Sequence, residues 1–256
     1  MTSSPLPTSQ PPISQPQWEP QKIHPNILTR AAVSPHSLVW HETEFPGITF
    51  GCFESDDQVQ EHPVTMLTRF GPGSFFPLHG HPGGEEILVV EGTFADETGV
   101  YAPGTYMLNP EGFEHLPYSD QGCLTFVKLR QHGGESRQQI RTNIYNDQGW
   151  QPGPIAQIEI KPLYGQAGFP EKVWAERWQP GTTLEQVTES EVKEIYVLEG
   201  SWSDELGDYA TGSWLRYPPG CPYSPASAQG CTIYVKTYPL DTTRFIVGDD
   251  FKHPFE

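Results

Sequence analysis

Two histidines one residue apart, His79 and His81, are followed by a carboxylate at Glu85 and, thirty residues later, by His115. On an extended chain, residues two apart point to the same face, so His79 and His81 can act together. Imidazole nitrogens with one carboxylate suit a borderline divalent ion, Zn(II) or Fe(II) first and Mn(II) or Ni(II) next, rather than calcium or magnesium. Four protein ligands on an octahedral ion would leave two adjacent positions for water, dioxygen or a chelating substrate. Glu86 competes with Glu85 for the carboxylate role. The spacing to Gly92 favours Glu85, and period-two alternation turns Glu86 the other way. A single histidine is usually a solvated side chain; the conjunction of His-x-His, Glu and a third His beside Pro110-Glu-Gly112 carries the argument. No catalytic acid or base stands out, and Asp96, Glu97 and Glu111 are candidates only by nearness in sequence.

Donors scattered in this way need short, well-registered elements to bring them together. The chain supplies 27 prolines and 25 glycines, and its apolar runs are short. Residues 64–70, 86–90, 104–108 and 124–129 have strand length and β-rich composition. No window carries a 3.6-residue stripe, so the expected class is all-β, a sandwich or barrel. Gly73, Pro82, Gly83 and Gly84 would shape the turns between donors. Phe75, Phe76, Phe94 and Phe113 could line the mouth of the site or simply fill a core. His62 and His132 read as surface histidines rather than supports of the donors.

The sequence also repeats itself at an offset of 108 residues. Arg69-Phe-Gly-Pro-Gly73 falls on Arg177-Trp-Gln-Pro-Gly181, and Glu86-Ile-Leu-Val-Val-Glu-Gly92 on Glu194-Ile-Tyr-Val-Leu-Glu-Gly200. Gly122-Cys-Leu-Thr-Phe-Val-Lys128 falls on Gly230-Cys-Thr-Ile-Tyr-Val-Lys236. Tandem duplication with one fold per copy explains this, with the joint between about Gln131 and Gly168. The expected organisation is a disordered tail at 1–22, a first domain at 23–135, linker and extra strands at 136–168, and a second domain at 169–256. Ile23, Ile27, Leu28 and Val33 are expected to pack on the first domain. Repeated Arg69 and Arg177 suggest a shared structural ion pair, and repeated Cys123 and Cys231 suggest core thiols.

The copies are not equivalent. Where the first has His79, His81, Glu85 and His115, the second has Val187, Glu189, Lys193 and Tyr223. A valine offers no lone pair and a charged lysine cannot ligate a cation. Lys193 is expected to pair with Glu189 in place of a metal, leaving the second copy as scaffold.

Acidic residues outnumber basic ones 32 to 15, for a formal charge of −17. That charge repels phosphate backbones and anionic lipid surfaces, so neither nucleic acid nor membrane is an expected partner. The four cysteines, Cys52, Cys123, Cys221 and Cys231, show no CxxC spacing, and the first twenty residues lack the basic and apolar regions of a secretory signal. A reduced, cytoplasmic protein is the expectation.

The spacing Gly73-x5-His79-x-His81-x3-Glu85-x6-Gly92, followed by Gly104-x5-Pro110-x-Gly112-x2-His115, resembles both cupin motifs, with Ser119 where an Asn is usual. More narrowly, His81-Pro-Gly-Gly-Glu-Glu-Ile-Leu-Val-Val-Glu-Gly92 and Gly122-Cys-Leu-Thr-Phe-Val-Lys-Leu-Arg130 resemble the cupin domain of the ChrR anti-sigma factor family. The resemblance implies two tandem jelly-roll (double-stranded β-helix) barrels, with His79, His81, Glu85 and His115 on one metal, zinc in ChrR-like proteins and often iron in enzymatic cupins. It implies either a metal-dependent dioxygenase acting on a small oxygen-chelating substrate or a zinc-binding sensor module; a purely structural storage-type bicupin fits the intact donor set poorly. Sigma-factor binding is not carried over, because residues 1–42 contain no cysteine and no helical stretch that could form the zinc-binding helical domain. Cupins commonly dimerise, which leaves a homodimer open.

Overall fold

The computed structural model describes residues 21–56, 62–134 and 136–241; the expected tail lies almost wholly outside them. The first barrel is built on β2 (His41–Glu42), β3 (Ile48–Glu54), β4 (Val64–Phe70), β5 (His79–Gly80), β6 (Glu85–Gly92), β7 (Phe94–Asp96), β8 (Thr105–Asn109), β9 (Glu114–His115) and β10 (Cys123–Leu129). They follow β1 (Ala31–Val33), and β11 (Ile140–Asn143) follows them. The second barrel uses β12 (Gln151–Pro152), β13 (Ile158–Gly165), β14 (Lys172–Trp178), β15 (Val187–Thr188), β16 (Val192–Asp204), β17 (Trp214–Tyr217), β18 (Pro222–Tyr223) and β19 (Cys231–Tyr238).

The duplication is visible in the topology. The main sheet of the first barrel runs β11-β8-β6-β10-β4-β3-β2, and the main path of the second runs β1-β17-β16-β19-β14-β13-β12. Both are antiparallel throughout. Gly92 and Gly200 fix one shared feature. Each has φ near +70° to +75°, and a Cβ on either would lie 2.1 Å from the Gly122 carbonyl or 2.0 Å from that of Gly230. Only glycine fits so close an approach.

One element departs from the expected packing of the N-terminal segment. β1 pairs with β17 of the second barrel, Ala31 opposite Arg216 and Val33 opposite Trp214. Ile27 likewise packs with Val192 and Tyr238. In the mirror arrangement β11, which opens the second repeat, pairs with β8 of the first barrel. Each repeat therefore sends its leading arm across to the other barrel; Ile23 and β2 remain on the first.

Strand alternation then gives each main sheet two buried faces. Met66, Thr68 and Phe70 of β4, Glu85 and Ile87 of β6, and Thr125, Val127 and Leu129 of β10 turn into the first barrel's lumen. The intervening Leu67, Leu88, Leu124 and Phe126 join Tyr196, Leu198, Trp214 and Tyr234 of the second barrel in one core between the two. Charged residues lie in that core as well. Lys128 Nζ donates to Glu194 Oε2 at 2.5 Å and Lys236 Nζ to Glu86 Oε2 at 2.9 Å, all four side chains at most 1% exposed. These crossed pairs join equivalent residues of opposite barrels. Glu86 also accepts from the Tyr234 hydroxyl, and Glu194 from Trp214 Nε1 and Tyr238 Oη. His132 is fully buried against Glu86 at 2.7 Å, which corrects its reading as a surface histidine. Burial, followed by the field of Lys236, pushes its imidazole down to about 4.

Among the described residues, the expected Arg69 and Arg177 ion pair is seen only in the second copy, where Arg177 lies 3.7 Å from Glu159 on the surface. What the two arginines share is stacking, Arg69 over Trp40 and Arg177 over Trp150. All four cysteines are free thiols, with Cys52, Cys123 and Cys231 buried. No helix among the described residues is long and apolar enough to cross a membrane.

Candidate metal centre

The backbone brings the donors together in two steps. β5 and β9 pair so that His79 lies directly opposite His115, and β6 and β8 pair so that Glu85 lies opposite Asn109. Between His81 and β6 the chain turns through Gly83 and Gly84, both with φ above +70°. A Cβ on Gly84 would lie 2.9 Å from the His132 backbone oxygen, so this turn closes only with glycine.

One ligating atom from each of His79, His81 and His115 lies within 4.8 Å of the others. His81 Nε2 and His115 Nε2 are 3.1 Å apart, and Glu85 Oε2 is 3.4 Å from each. Two donors each about 2.1 Å from one cation lie about 3.0 to 3.4 Å apart for angles between a right angle and tetrahedral, so this spacing suits a transition metal. The ring orientations agree. His79 Nδ1 lies 2.7 Å from the Pro77 carbonyl, which only an N–H can satisfy, leaving its Nε2 lone pair for the centre. His115 Nδ1 faces Asp96 Oδ2 at 3.8 Å, longer than a hydrogen bond, both atoms buried and without a hydrogen-bond partner among the described residues. Burial, opposed by Glu85 and reinforced by the neighbouring histidines, pushes the His81 imidazole down, which favours its neutral, lone-pair-bearing form.

Behind the donors stands a layer the spacing of the sequence did not disclose. Asn109 Nδ2 donates to Glu85 Oε2 at 3.0 Å, and Arg141 Nη2 donates to Asn109 Oδ1 at 2.6 Å. Asp96 accepts from the Thr98 amide and hydroxyl at 2.7 and 2.6 Å. Burial raises its carboxyl, but His115, Thr98 and Arg141 outweigh that and hold it at about 2. Such partners orient ligands and tune their basicity. Of the residues considered as acid or base, Asp96 lies behind His115, Glu97 accepts from the Leu116 amide, and Glu111 accepts from the Gly134 amide. None of the three lines the cavity above the donors.

That cavity has a volume of about 220 Å³ and an apolar wall, with Met66, Phe70, Phe76, Phe94, Val127 and Leu129 facing the donors. Among the described residues, Thr68 and Thr125 add the only hydroxyls to the lining, which includes no lysine or arginine. Phe75 and Phe113 stand outside the wall; Phe113 packs edge-on against His115. Glu86 points into the inter-barrel core. His62 contacts Asp56, away from the donors.

At the equivalent place in the second barrel, β15 and β18 set Val187 opposite Tyr223, and Lys193 lies opposite Tyr217. Lys193 Nζ and Tyr223 Oη both donate to Glu189 Oε1 at 2.9 Å, the substitution expected from the sequence. Tyr217 and Tyr223 stack at 4.1 Å, and Trp178 and Trp202 meet edge to face at 4.8 Å.

The sequence model of the ChrR cupin-like domain matches the chain twice, over residues 28–133 and 138–241. Comparison with curated proteins gives no match. Among solved structures, YlbA of Escherichia coli is similar with a TM-score of 0.65 and 16% identity over 87% of this chain and 95% of that one. Bacterial pirin YhhW of Escherichia coli, in complex with nickel(II), gives 0.63 and 12% over 83% of this chain and 100% of its own. A variant of salicylate 1,2-dioxygenase from Pseudoaminobacter salicylatoxidans gives 0.58 and 13% over 72% of each. At these identities the likeness is one of fold.

Proposed function

The chain belongs to the ChrR cupin-like family, and we propose that its N-terminal barrel is a metal-dependent centre acting on a small oxygen-chelating molecule, as a non-haem dioxygenase or related cupin enzyme does. The observation that carries this reading is the convergence of His79, His81, His115 and Glu85 beneath an apolar cavity. These four residues would hold Fe(II) or Zn(II), with Mn(II) or Ni(II) as further candidates. A bound ion supplies Lewis acidity toward substrate oxygens and, if redox-active, an electron for dioxygen. The protein's own part is to orient the donors through Pro77, Asp96 and Asn109 and to keep water scarce around the reacting group. With no lysine or arginine among the described lining residues, direct recognition of polar atoms falls to the centre, which suits a compact diketone or hydroxyketone. The dioxygenase and nickel-bound pirin among the structures of this fold support a metal-based reading.

The family itself favours a second reading, a zinc-holding sensor without turnover. Metal analysis of protein purified without added metal, followed by oxygen uptake with small diketones, separates the two. Iron with uptake supports the enzyme; tightly held zinc without uptake replaces it with the sensor; a metal-free protein that takes up no added divalent ion sinks both.

A further inference from the structure

Arg141 does not come from the repeat that supplies the donors it stands behind. It lies on β11, within the second match of the family and on the arm that the second repeat lends to the first barrel. From there its guanidinium spans the rear of the donor cluster. Nη2 donates to Asn109 Oδ1, whose amide donates to Glu85 Oε2. Nη1 donates to the carbonyls of Ile140 at 2.8 Å and Leu108 at 3.3 Å, and Nε to Tyr101 Oη at 3.4 Å. Tyr101 in turn meets the Thr98 hydroxyl at 2.6 Å, and Thr98 donates to Asp96, the carboxylate behind His115. One side chain thus closes a chain of polar contacts that ends on Glu85 at one side and on the partner of His115 at the other.

The second barrel supplies a natural control. There Arg30, just before β1, crosses over from the first repeat and binds Asp204 and Tyr209, which stand where Asp96 and Tyr101 stand in the first. The position of Asn109 is taken by Tyr217, whose hydroxyl donates to Asp204 instead of orienting a ligand. By strand register Ala32 holds the place of Arg141 and Arg30 lies two residues before it, so each arm lends an arginine from a different position, coupled to a donor cluster in one barrel and to an aromatic filling in the other.

We infer that Arg141 is a positioning residue for the N-terminal donor cluster, supplied by the second repeat, so that the repeat without ligands is part of the centre. The inference rests on the metal-centre reading above. Its guanidinium fork fixes Asn109 and Tyr101 at once, which a single ammonium cannot reproduce.

The test uses the full chain, stripped of metal and titrated with cobalt(II) alone, reading the visible absorption of the bound ion. Replacing outer partners of a ligand typically weakens metal binding about 10–100-fold. Arg141→Met should show a loss of that size and an altered cobalt spectrum, Arg141→Lys should recover part of it, and Arg30→Met should leave affinity and spectrum unchanged. Equal cobalt affinity and spectrum in wild type and Arg141→Met would overturn the inference while leaving the metal reading intact. Equal weakening by Arg30→Met would overturn it too, by showing a general effect of the exchanged arms. A wild-type chain that takes up no cobalt would instead overturn the metal reading and this inference with it. Should Arg141→Met fail to fold, Arg141→Gln is titrated in its place; a loss of about 10–100-fold supports the inference and an unchanged affinity and spectrum refute it.

Discussion

In the lumen the two barrels differ at position after position, whereas on the faces they turn toward each other they keep matched charges. His79, His81, Glu85 and His115 become Val187, Glu189, Lys193 and Tyr223; Phe94 becomes Trp202 and Asn109 becomes Tyr217. Glu86 and Glu194, and Lys128 and Lys236, stay the same. In the second barrel the Tyr217 and Tyr223 rings fill the space the donors occupy in the first, and the Lys193–Glu189 pair supplies the opposite charges. A carboxylate in that place needs a cation nearby, and either a metal or an ammonium meets the need. The lumen is thus where the copies have diverged, while the crossed ion pairs hold both to the common frame.

The sharpest way to break this comparison is to remove matched residues from the two lumens. His115→Ala, or His79→Ala, should strip most of the bound metal, whereas Tyr223→Ala should leave metal content unchanged by elemental analysis. Metal that survives the loss of His115 would mean the donors have been misassigned.

The shared face predicts a smaller and symmetric effect. Lys128→Met and Lys236→Met each leave a buried carboxylate without its partner, which typically costs about 3–5 kcal/mol. Urea unfolding should therefore show similar losses for both variants; a loss confined to one would show that the crossed pairs are not equivalent.

Smaller again is the asymmetry within that face. His132 leans on Glu86, and Leu240 stands at the matching place in the second repeat. An imidazole held at about 4 when folded, against 6.5 when free, stays neutral in the fold while the unfolded chain takes up a proton. The unfolded state then binds more protons between those values, so stability is full above about 6.5 and falls on acidification toward 4, by up to about 3 kcal/mol. His132→Gln should flatten the pH dependence of unfolding in that window, and an unchanged slope would assign it to other groups.

How much of this was legible in advance depends on what each residue's role requires. The candidate donors could be singled out because ligation demands particular atoms at particular spacings, and Glu85 could be separated from Glu86 because strand alternation is local. The duplication could be read because it repeats whole runs. His132 was misread because nothing in its neighbourhood, His132-Gly-Gly, tells of the carboxylate 46 positions away. Glu86 and Lys128 did carry a signal, a charge kept in both copies inside apolar runs, and the structure shows them in buried pairs. Arg141 and Asn109 carried none, since their role arises only where the arm of one repeat meets the other.

By itself, the sequence determined the strand periodicity, the tandem copies and the four residue types able to ligate an ion in one copy alone, since all of these follow from side-chain chemistry and short-range spacing. The tertiary structure alone decided which barrel each leading arm joins, which charges are paired out of water and which arginine stands behind the donors. Those outcomes rest on contacts between residues far apart in the chain, and only the folded surfaces bring their partners within reach.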